Sequence, residues 1–474
     1  MSTTYIRNCD WIIVWDGEKK RHRYARNLDL VFRDDKIIHV GPNYAGAFDT
    51  EISGLGLMAM PGLVDIHSHP ALEPAYKGIR EEHGIADMYM SGLYERCAVM
   101  HQDDECYRAC AELTYCEMLL SGVTSVADLS VPYPGWKELA EKSGLRVWLA
   151  PGYASSRWYM DNGHEVKFAW DEAKGEQGFE AAMTFIDGLE PGGRISGIIY
   201  PLQIDTCTED LLRKSIAAAL ERNIPLTTHA SQSVMEFNLM VQRHGKTPIQ
   251  WAHEIGLLTP NTILGHTIFI DEHSWLHWHT RKDVPLLAET GTVVAHCPNV
   301  FSRYGHLLED FGRYTKAGVR MAIGTDTTPH NMIEEMRETA VFARIAAEDL
   351  FTTSTEEVFT AATVGGAAAL MRDDIGRLAV GMKADIVLVD LKHPSMRPLR
   401  DPLRSLIYAS AERAVRHVFI DGQQVVRDSK VLTLDMEDAC VRAEEGQVRM
   451  MQRVPEFDYA NRTIDEISPL SLEC

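Results

Sequence analysis

The chain has 474 residues, 45% of them hydrophobic, and a formal net charge of −21 at pH 7. This length can bury a large core and suits one big domain with a smaller one beside it. The acidic balance argues against nucleic acid or an anionic membrane surface as a partner. Because no apolar run reaches the roughly 18 residues of a membrane helix, and no basic-then-apolar leader opens the chain, we expect a cytoplasmic protein.

Both ends of the chain carry strand signals, whereas the middle has a different pattern. Residues 1–59 contain short apolar runs that end in Asp-Gly or Asp-Asp turns, which indicates antiparallel hairpins. Similar runs return at 384–389 and 415–420. We predict that 1–59 and 371–433 together form one small β-sandwich, and that 434–474 is a C-terminal helix and tail.

The middle region, residues 60–370, alternates apolar strand candidates with helical stretches. The strand interiors are nearly continuous runs of Val, Ile, Leu and Ala, as in parallel strands that are covered on both faces. The eight candidate strands cover residues 63–69, 123–128, 146–150, 195–201, 225–230, 262–267, 292–297 and 320–326. Eight such units in about 300 residues predict an α/β protein whose main domain is a (β/α)8 TIM barrel.

Three of these candidate strands end in side chains that bind metals. His67 and His69 end the first strand, His229 the fifth and Asp326 the eighth. Side chains alternate along a strand, so the first two histidines project to the same side and can share one ion. The carboxyl ends of the strands form the active site of a TIM barrel. Imidazoles with a carboxylate and an open position are typical of a catalytic zinc-type centre.

The motifs at these strand ends resemble those of the amidohydrolase superfamily. The similarity covers nearly the whole chain and includes segments 60–69, 121–128, 264–266, 324–326 and 376–387. Segment 294–299 is similar to a strand-seven motif of the branch that holds triazine hydrolases and the adenosine-type, guanine and cytosine deaminases. The resemblance implies a metal-dependent hydrolase with mononuclear chemistry.

The end of the fourth strand also favours a single metal ion. Two-metal members of the superfamily need a bridging residue there, commonly a carboxylated lysine, but no lysine occurs between Lys174 and Lys214. We therefore predict one divalent ion per chain. Zinc is the first choice, although iron, cobalt and manganese accept the same ligands.

The resemblance implies two catalytic roles. Asp326 would bind the metal and also accept the proton of the attacking water. His266 resembles the histidine that contacts the activated water or the substrate carbonyl, and it could stabilise the oxyanion.

The chain departs from that branch three residues after His229. The deaminases usually have a glutamate there, which gives a proton to the substrate ring, whereas this chain has Gln232. A glutamine can form hydrogen bonds but has no proton to give at neutral pH. We therefore predict cleavage of a C–N (or carbamoyl C–S) bond in a small urea, anilide or (thio)carbamate, close to phenylurea or molinate hydrolases, with little deaminase activity. Two alternatives stay open: a deaminase or dechlorinase of an aminated heterocycle, and a non-catalytic scaffold.

Polar and aromatic residues in the loops after the strands are candidates for contacts with a small-molecule substrate. The predicted contacts are Arg157, Trp158, Tyr159, Gln232, His296, Asn299, Phe301, Tyr304 and His330. We also predict a homo-oligomer, because the helix expected over 106–120 could present an exposed apolar face.

Overall fold

The structure is a computed structural model of the chain, and it describes residues 2–79 and 92–473. Seven strands lie before the barrel within this described part. They are β1 (Thr3–Cys9), β2 (Trp11–Asp16), β3 (Arg21–Ala25), β4 (Leu28–Arg33), β5 (Lys36–Gly41), β6 (Thr50–Ser53) and β7 (Leu57–Pro61).

The strands of the middle region follow in chain order. They are β8 (Leu63–Ser68), β9 (Val123–Asp128), β10 (Arg146–Leu149), β11 (Gly152–Tyr153), β12 (Ser156–Tyr159), β13 (Lys167–Trp170), β14 (Ile195–Gly197), β15 (Tyr200–Pro201), β16 (Leu226–Ala230), β17 (Thr262–His266), β18 (Val293–His296) and β19 (Arg320–Ile323). Strands β8, β9, β10, β16, β17 and β18 are buried throughout, as the apolar runs of the sequence predict, whereas β13 is partly exposed.

Eight strand positions close into a parallel barrel. One arc has the order β14-β10-β9-β8 and the other the order β16-β17-β18-β19, and all pairs within them are parallel. Single bridges join the two arcs, between Ile199 and Leu226 and between Ser68 and Asp326. The predicted (β/α)8 barrel is therefore confirmed. The eighth strand ends at Ile323, earlier than predicted, before the left-handed backbone of Asp326 (φ 57°).

The strands at the two ends of the chain share one sheet beside the barrel. The C-terminal strands are β20 (Ile386–Asp390), β21 (Val415–Ile420), β22 (Gln423–Arg427) and β23 (Lys430–Val431). They join β7, β2 and β3 in the order β23-β22-β21-β20-β7-β2-β3, while β5-β4-β1-β6 form a second sheet. Both sheets contribute to one apolar cluster that includes Ile6, Phe32, Ile386 and Phe419. The predicted small β-sandwich is confirmed, whereas its boundaries with the barrel stay a prediction.

Helices lie between the strands and after them. They are α1 (Leu93–Val99), α2 (Asp104–Leu120), α3 (Trp136–Ser143), α4 (Glu172–Asp187), α5 (Glu209–Arg222), α6 (Val234–His244), α7 (Pro248–Glu254), α8 (Asp283–Thr290), α9 (Pro298–Arg303), α10 (Phe311–Lys316), α11 (Met332–Ala347), α12 (Thr355–Thr360), α13 (Gly366–Ala369), α14 (Pro402–Ser405), α15 (Met436–Phe457) and α16 (Ile464–Ile467). Helix α5 shows why they begin and end: the Thr208 side chain caps its first turn, and Asn223 ends it in a left-handed conformation. Among the described residues, no helix is long and apolar enough to cross a membrane.

Helix α15 covers the surface of α2 that we expected to be exposed. Cys106 and Leu113 of α2 are buried in one cluster with Ala443 and Met450 of α15. Burial of these apolar side chains against each other stabilises the C-terminal helix on the barrel. The expectation of a free apolar face on this helix is therefore wrong, because the chain covers the face itself.

A buried ion pair joins the barrel to the sandwich. Arg146 of β10 is almost fully buried, and its Nη2 donates to Asp385 at 3.2 Å and to Asp421 at 2.7 Å. Asp385 precedes β20 and Asp421 follows β21. The guanidinium therefore holds the start of β20 and the end of β21 against β10, the third strand of the barrel.

Replacing Arg146 with methionine is expected to lower the free energy of unfolding by about 3–5 kcal/mol, because it leaves the buried carboxylate of Asp385 without its cation. The matched control is Arg416→Met, whose exposed pair with Asp428 is worth at most about 1 kcal/mol. Urea unfolding of both variants measures the difference. Equal losses in the two variants would contradict this account of the junction.

His22 of β3 gives the sandwich a defined pH response. Its ring is buried against Phe359, with centroids 5.0 Å apart, and Nε2 lies 3.0 Å from the Thr363 hydroxyl. Burial lowers the pKa of His22 from 6.5 to about 4. The folded state therefore binds fewer protons at His22 than the unfolded state, so this stability is present above pH 6.5 and is lost as the pH falls toward 4.

We expect the stability advantage of the native protein over a His22→Gln variant to shrink by on the order of 3 kcal/mol between about pH 7 and about pH 4. The comparison with the variant removes the contributions of all other titrating groups. Chemical denaturation at a series of pH values measures it. An advantage that does not change with pH would show that His22 titrates alike in both states.

Candidate metal centre and substrate cavity

His67 and His69 lie at the carboxyl end of β8, with their ring centroids 5.2 Å apart. Alternation along the strand places both imidazoles on one side. Two glycines make room for the first of them. A Cβ atom at Gly265 would lie 2.7 Å from the His67 ring, and one at Gly324 would lie 2.7 Å from the His67 Cβ atom. A larger residue at either position would displace this histidine.

Asp326 reaches the same point from the loop after β19, the barrel strand next to β8. Its backbone N–H donates to the His67 carbonyl at 2.8 Å, and its Oδ1 lies 3.2 Å from Nε2 of both His67 and His69. Buried Asp65 fixes this loop, because its carboxylate accepts from the Thr325 backbone N–H at 3.1 Å and from the Thr325 hydroxyl at 2.6 Å. Asp65 therefore positions the residue next to a ligand.

Four side chains bring ligand atoms to a common point. The ligand atoms of His67, His69, His229 and Asp326 all lie within 4.8 Å of one another. His69 and His229 each donate from Nδ1 to a backbone carbonyl, at 2.9 and 2.8 Å, which leaves Nε2 to bind a cation. His67 Nε2 is buried without a hydrogen-bond partner among the described residues. Three imidazoles and a carboxylate in this arrangement fit one divalent ion of the zinc type.

The ionisation of the cluster also suits a cation. Burial lowers the pKa of His67, and it lowers that of His229 further. Burial alone would raise the pKa of Asp326, but nearby His266, His67 and His69 hold it well below its usual range. Burial alone would lower the pKa of His69, but the hydrogen bond to Asp326, the charges of Asp326 and Glu73 and the hydrogen bond to the Leu129 carbonyl together raise it. Neutral imidazoles and an ionised carboxylate are the forms that bind a metal ion.

A cavity of about 470 Å³ opens onto this cluster. His69, His229, His266 and Asp326 line it, and His266 Nε2 lies 3.8 Å from Asp326 Oδ2. Burial lowers the pKa of His266 to about 3, so its ring is neutral. Apolar and aromatic side chains form much of the remaining wall, among them Leu72, Tyr76, Leu129, Trp158, Leu202, Phe301 and Tyr304. A cavity of this size and lining takes a small molecule.

Five of the predicted substrate contacts line this cavity. They are Arg157, Trp158, Gln232, Phe301 and Tyr304. Tyr94 of α1 holds this wall together, because its ring packs edge-on against Trp158 at 4.6 Å and its hydroxyl lies 2.7 Å from that of Ser233. The roles of the five side chains in binding stay predictions.

His296 and His330 are not among the described residues that line the main cavity. His296 lines a small neighbouring pocket of about 10 Å³, which it shares with His266 and Phe301. His330 is fully buried behind the metal cluster, where its Nδ1 lies 2.9 Å from the Thr325 hydroxyl. His330 therefore faces the loop that carries Asp326, whereas contact of His296 with substrate stays a prediction, because its pocket shares lining residues with the main cavity.

Asn299 and Tyr159 also lie outside the described lining of the main cavity. The Asn299 side-chain amide donates to Glu338 at 3.1 Å, so it faces helix α11. Tyr159 ends β12 opposite Lys167 of β13, one residue beyond Trp158. These residues were predicted from their position after a barrel strand. The conformation of each loop decides which of the side chains reach the cavity.

Polar residues that were not among the predicted substrate contacts also line the cavity, among them Glu73, Arg96 and Gln203. Glu73 and Arg96 are both buried, and Arg96 Nη2 lies 3.4 Å from a Glu73 oxygen. Arg96 Nε has no acceptor among the described residues. Gln203 lies just after β15, paired in register with His229. Glu73 follows the first strand closely and could have been selected on that ground, whereas Arg96 reaches the cavity from α1 through tertiary packing alone.

A TIM barrel with three histidines and an aspartate at the carboxyl ends of β8, β16 and β19 defines a metal-dependent hydrolase. The chain belongs to the amidohydrolase family, whose characteristic domain matches residues 58–425. It is an enzyme that acts on carbon–nitrogen bonds other than peptide bonds. The alternative of a non-catalytic scaffold is therefore wrong.

Two curated relatives match most of the chain. A 5-methylthioadenosine/S-adenosylhomocysteine deaminase of Halobacterium salinarum is 31% identical over 423 residues, which are 88% of this chain and 92% of the relative. A 5′-deoxyadenosine deaminase of Methanosarcina mazei is 27% identical over 431 residues, 90% of this chain and 94% of the relative. The similarity therefore extends across both the barrel and the sandwich.

A solved structure shares the fold over nearly the whole length. An adenosine deaminase from Xanthomonas campestris with bound zinc superimposes with a TM-score of 0.81 at 22% identity, covering 95% of this chain and 99% of the other. Together with the cluster of His67, His69, His229 and Asp326, this supports the predicted cofactor. The enzyme uses one divalent ion per chain, and zinc is the first choice for this set of ligands.

The predicted substrate class is wrong. The prediction of urea, anilide or (thio)carbamate cleavage rests on Gln232, because a glutamine cannot carry a proton. The relatives that match about nine-tenths of the chain are instead named for deamination of adenosine derivatives. The predicted closeness to phenylurea and molinate hydrolases is not confirmed. Loss of one proton carrier does not exclude deamination, because Asp326 can still move a proton at the same centre.

Proposed function

We propose that this protein deaminates an adenosine derivative, releasing ammonia and leaving an inosine-type product. The observation that carries the proposal is the similarity, over 88% of the chain, to a deaminase named for 5-methylthioadenosine and S-adenosylhomocysteine. The cavity of about 470 Å³ supports it, because aromatic side chains such as Trp158 and Phe301 can pack against a purine. The cytoplasmic location and the homo-oligomer stay predictions.

The chain supplies the acid–base groups that this reaction needs. When bound, zinc makes water nucleophilic near neutral pH. Asp326 Oδ1 faces the ligand histidines, so Oδ2 is free to accept a proton from the attacking water and pass it to the departing amine. Neutral His266, 3.8 Å from that oxygen, is placed to stabilise the oxygen that adds to the ring. The oxygen that adds to the ring carbon keeps the second water proton, and tautomerisation after the amine has left moves this proton to the ring nitrogen of the product.

The test is ammonia release by the zinc-loaded protein. The panel contains 5′-methylthioadenosine, S-adenosylhomocysteine, 5′-deoxyadenosine and adenosine, with cytosine and guanine as other amino-heterocycles. We expect ammonia and a product in which oxygen replaces the amino group, identified by mass spectrometry, from at least one adenosine derivative. A His67→Ala variant controls for contaminating deaminases. Turnover of the other heterocycles with no reaction of any adenosine derivative would overturn the proposal.

A further inference from the structure

The cavity wall beside His229 offers amides where a carboxylate would be expected. Gln203 and Gln232 both line the cavity there. The nearest glutamate, Glu236, is buried and already occupied, since its two carboxylate oxygens accept the backbone N–H groups of Ser231 at 2.7 Å and Gln232 at 2.9 Å. Glu236 is not among the described residues that line the cavity. It fixes the loop that carries Gln232 and does not replace a proton carrier.

The two glutamines orient each other. Gln232 Nε2 donates to Gln203 Oε1, which leaves Gln203 Nε2 as a donor and Gln232 Oε1 as an acceptor. Their backbones are fixed as well. Gln203 forms a parallel β-bridge with His229, and the carboxylate of Glu236 accepts a hydrogen bond from the backbone N–H of Gln232. One donor and one acceptor therefore stand in a fixed order on the cavity wall next to a metal ligand.

We propose that Gln203 and Gln232 form an amide pair that recognises the amidine edge of an aminated nitrogen heterocycle by hydrogen bonding alone. Gln203 Nε2 donates to the ring nitrogen, and Gln232 Oε1 accepts from the exocyclic amine. This rests on the proposed function and specifies what part of the substrate the pair reads. The donated hydrogen bond also stabilises negative charge that develops on the ring nitrogen during attack.

The same pair disfavours the product. Deamination turns the ring nitrogen from an acceptor into an N–H donor, and it replaces the amine by a carbonyl oxygen. In an unchanged pose, N–H would face Gln203 Nε2 and carbonyl oxygen would face Gln232 Oε1. Buried donors and acceptors without partners weaken binding, so the fixed order of the pair favours substrate over product.

The test uses ligands that differ by one edge atom. Affinities of 5′-methylthioadenosine, its analogue with CH in place of the ring nitrogen N1, and its inosine-type product are measured by calorimetry with metal-free protein, which prevents turnover. We expect Gln203→Leu to weaken binding of the parent nucleoside about tenfold or more, while the CH analogue binds equally to native and variant protein. Gln424→Leu, which changes a glutamine of the sandwich strand β22, is the matched control.

A second variant makes the test independent of lost packing. Gln203→Glu keeps the size of the side chain and the acceptor for Gln232 Nε2, but it presents an oxygen in place of the free donor. We expect it to remove the preference for the amino nucleoside over the inosine-type product, because each ligand then has one matched and one opposed edge atom. Equal losses for the parent and the CH analogue in Gln203→Leu, or an unchanged preference for the amino nucleoside in Gln203→Glu, would overturn the inference.

Failure of this inference and failure of the proposed function give different results. Ammonia release by the native enzyme with no edge-selective effect of the variants would refute the amide pair and leave the deaminase intact. Edge-selective binding without ammonia release would support the pair and refute the function.

Discussion

Replacing His67 with alanine is expected to remove the bound zinc and abolish hydrolysis while the barrel stays folded. His67 brings one of the four ligand atoms that lie within 4.8 Å of each other. Loss of an outer partner of a metal ligand typically costs about 10–100-fold in affinity, so loss of a ligand should cost more. Zinc per chain, measured by elemental analysis after gel filtration, should fall close to zero, with activity lost in parallel.

The matched control is His279→Ala, which changes an exposed histidine that does not belong to the cluster. It should keep zinc and activity. Circular dichroism of both variants checks that the fold is retained, as expected for a side chain at the mouth of the barrel. A zinc-loaded and active His67→Ala protein would show that the cluster is not the metal centre.

Changing Asp326 to asparagine is expected to lower kcat by about 100-fold or more. The substitution keeps the size of the side chain and one oxygen toward the ligand histidines, but it removes the group that accepts and returns the proton. Measurements at saturating zinc separate this effect from weaker metal binding. His266→Ala provides the comparison, since it should slow turnover while leaving the carboxylate in place.

Two results would assign the proton transfer elsewhere. One is native turnover by the zinc-loaded Asp326→Asn variant. The other is a pH profile of kcat that is the same in both proteins, because a carboxylate that acts as a base should leave its titration in that profile.

The metal centre was predictable because short-range rules decide it. The two-residue spacing of His67 and His69 fixes their common side, and buried apolar runs place His229 and Asp326 at strand ends that meet in a barrel. These are properties of single strands. A TIM barrel then brings the carboxyl ends of the strands together independently of the loop conformations.

The cavity wall was less predictable because loops and long-range packing decide it. Arg96 reaches the cavity from α1, while Asn299 turns toward Glu338 and His330 toward Thr325. Nothing in the spacing of these residues along the chain distinguishes them. The predicted substrate class failed because it rested on the single position Gln232, whereas the relatives that match about nine-tenths of the chain are named as deaminases.

The pairing of β7 with β20 sets the order in which the protein can be completed during synthesis. Pro61 pairs with Ile386, so the barrel sequence must leave the ribosome before β7 gains this neighbour. Until then β7 has β2 beside it on one edge only, and an unpaired edge is prone to pair with other chains. Late closure of this non-local sheet makes translation of the last strands the step at which the nascent chain is most exposed to aggregation.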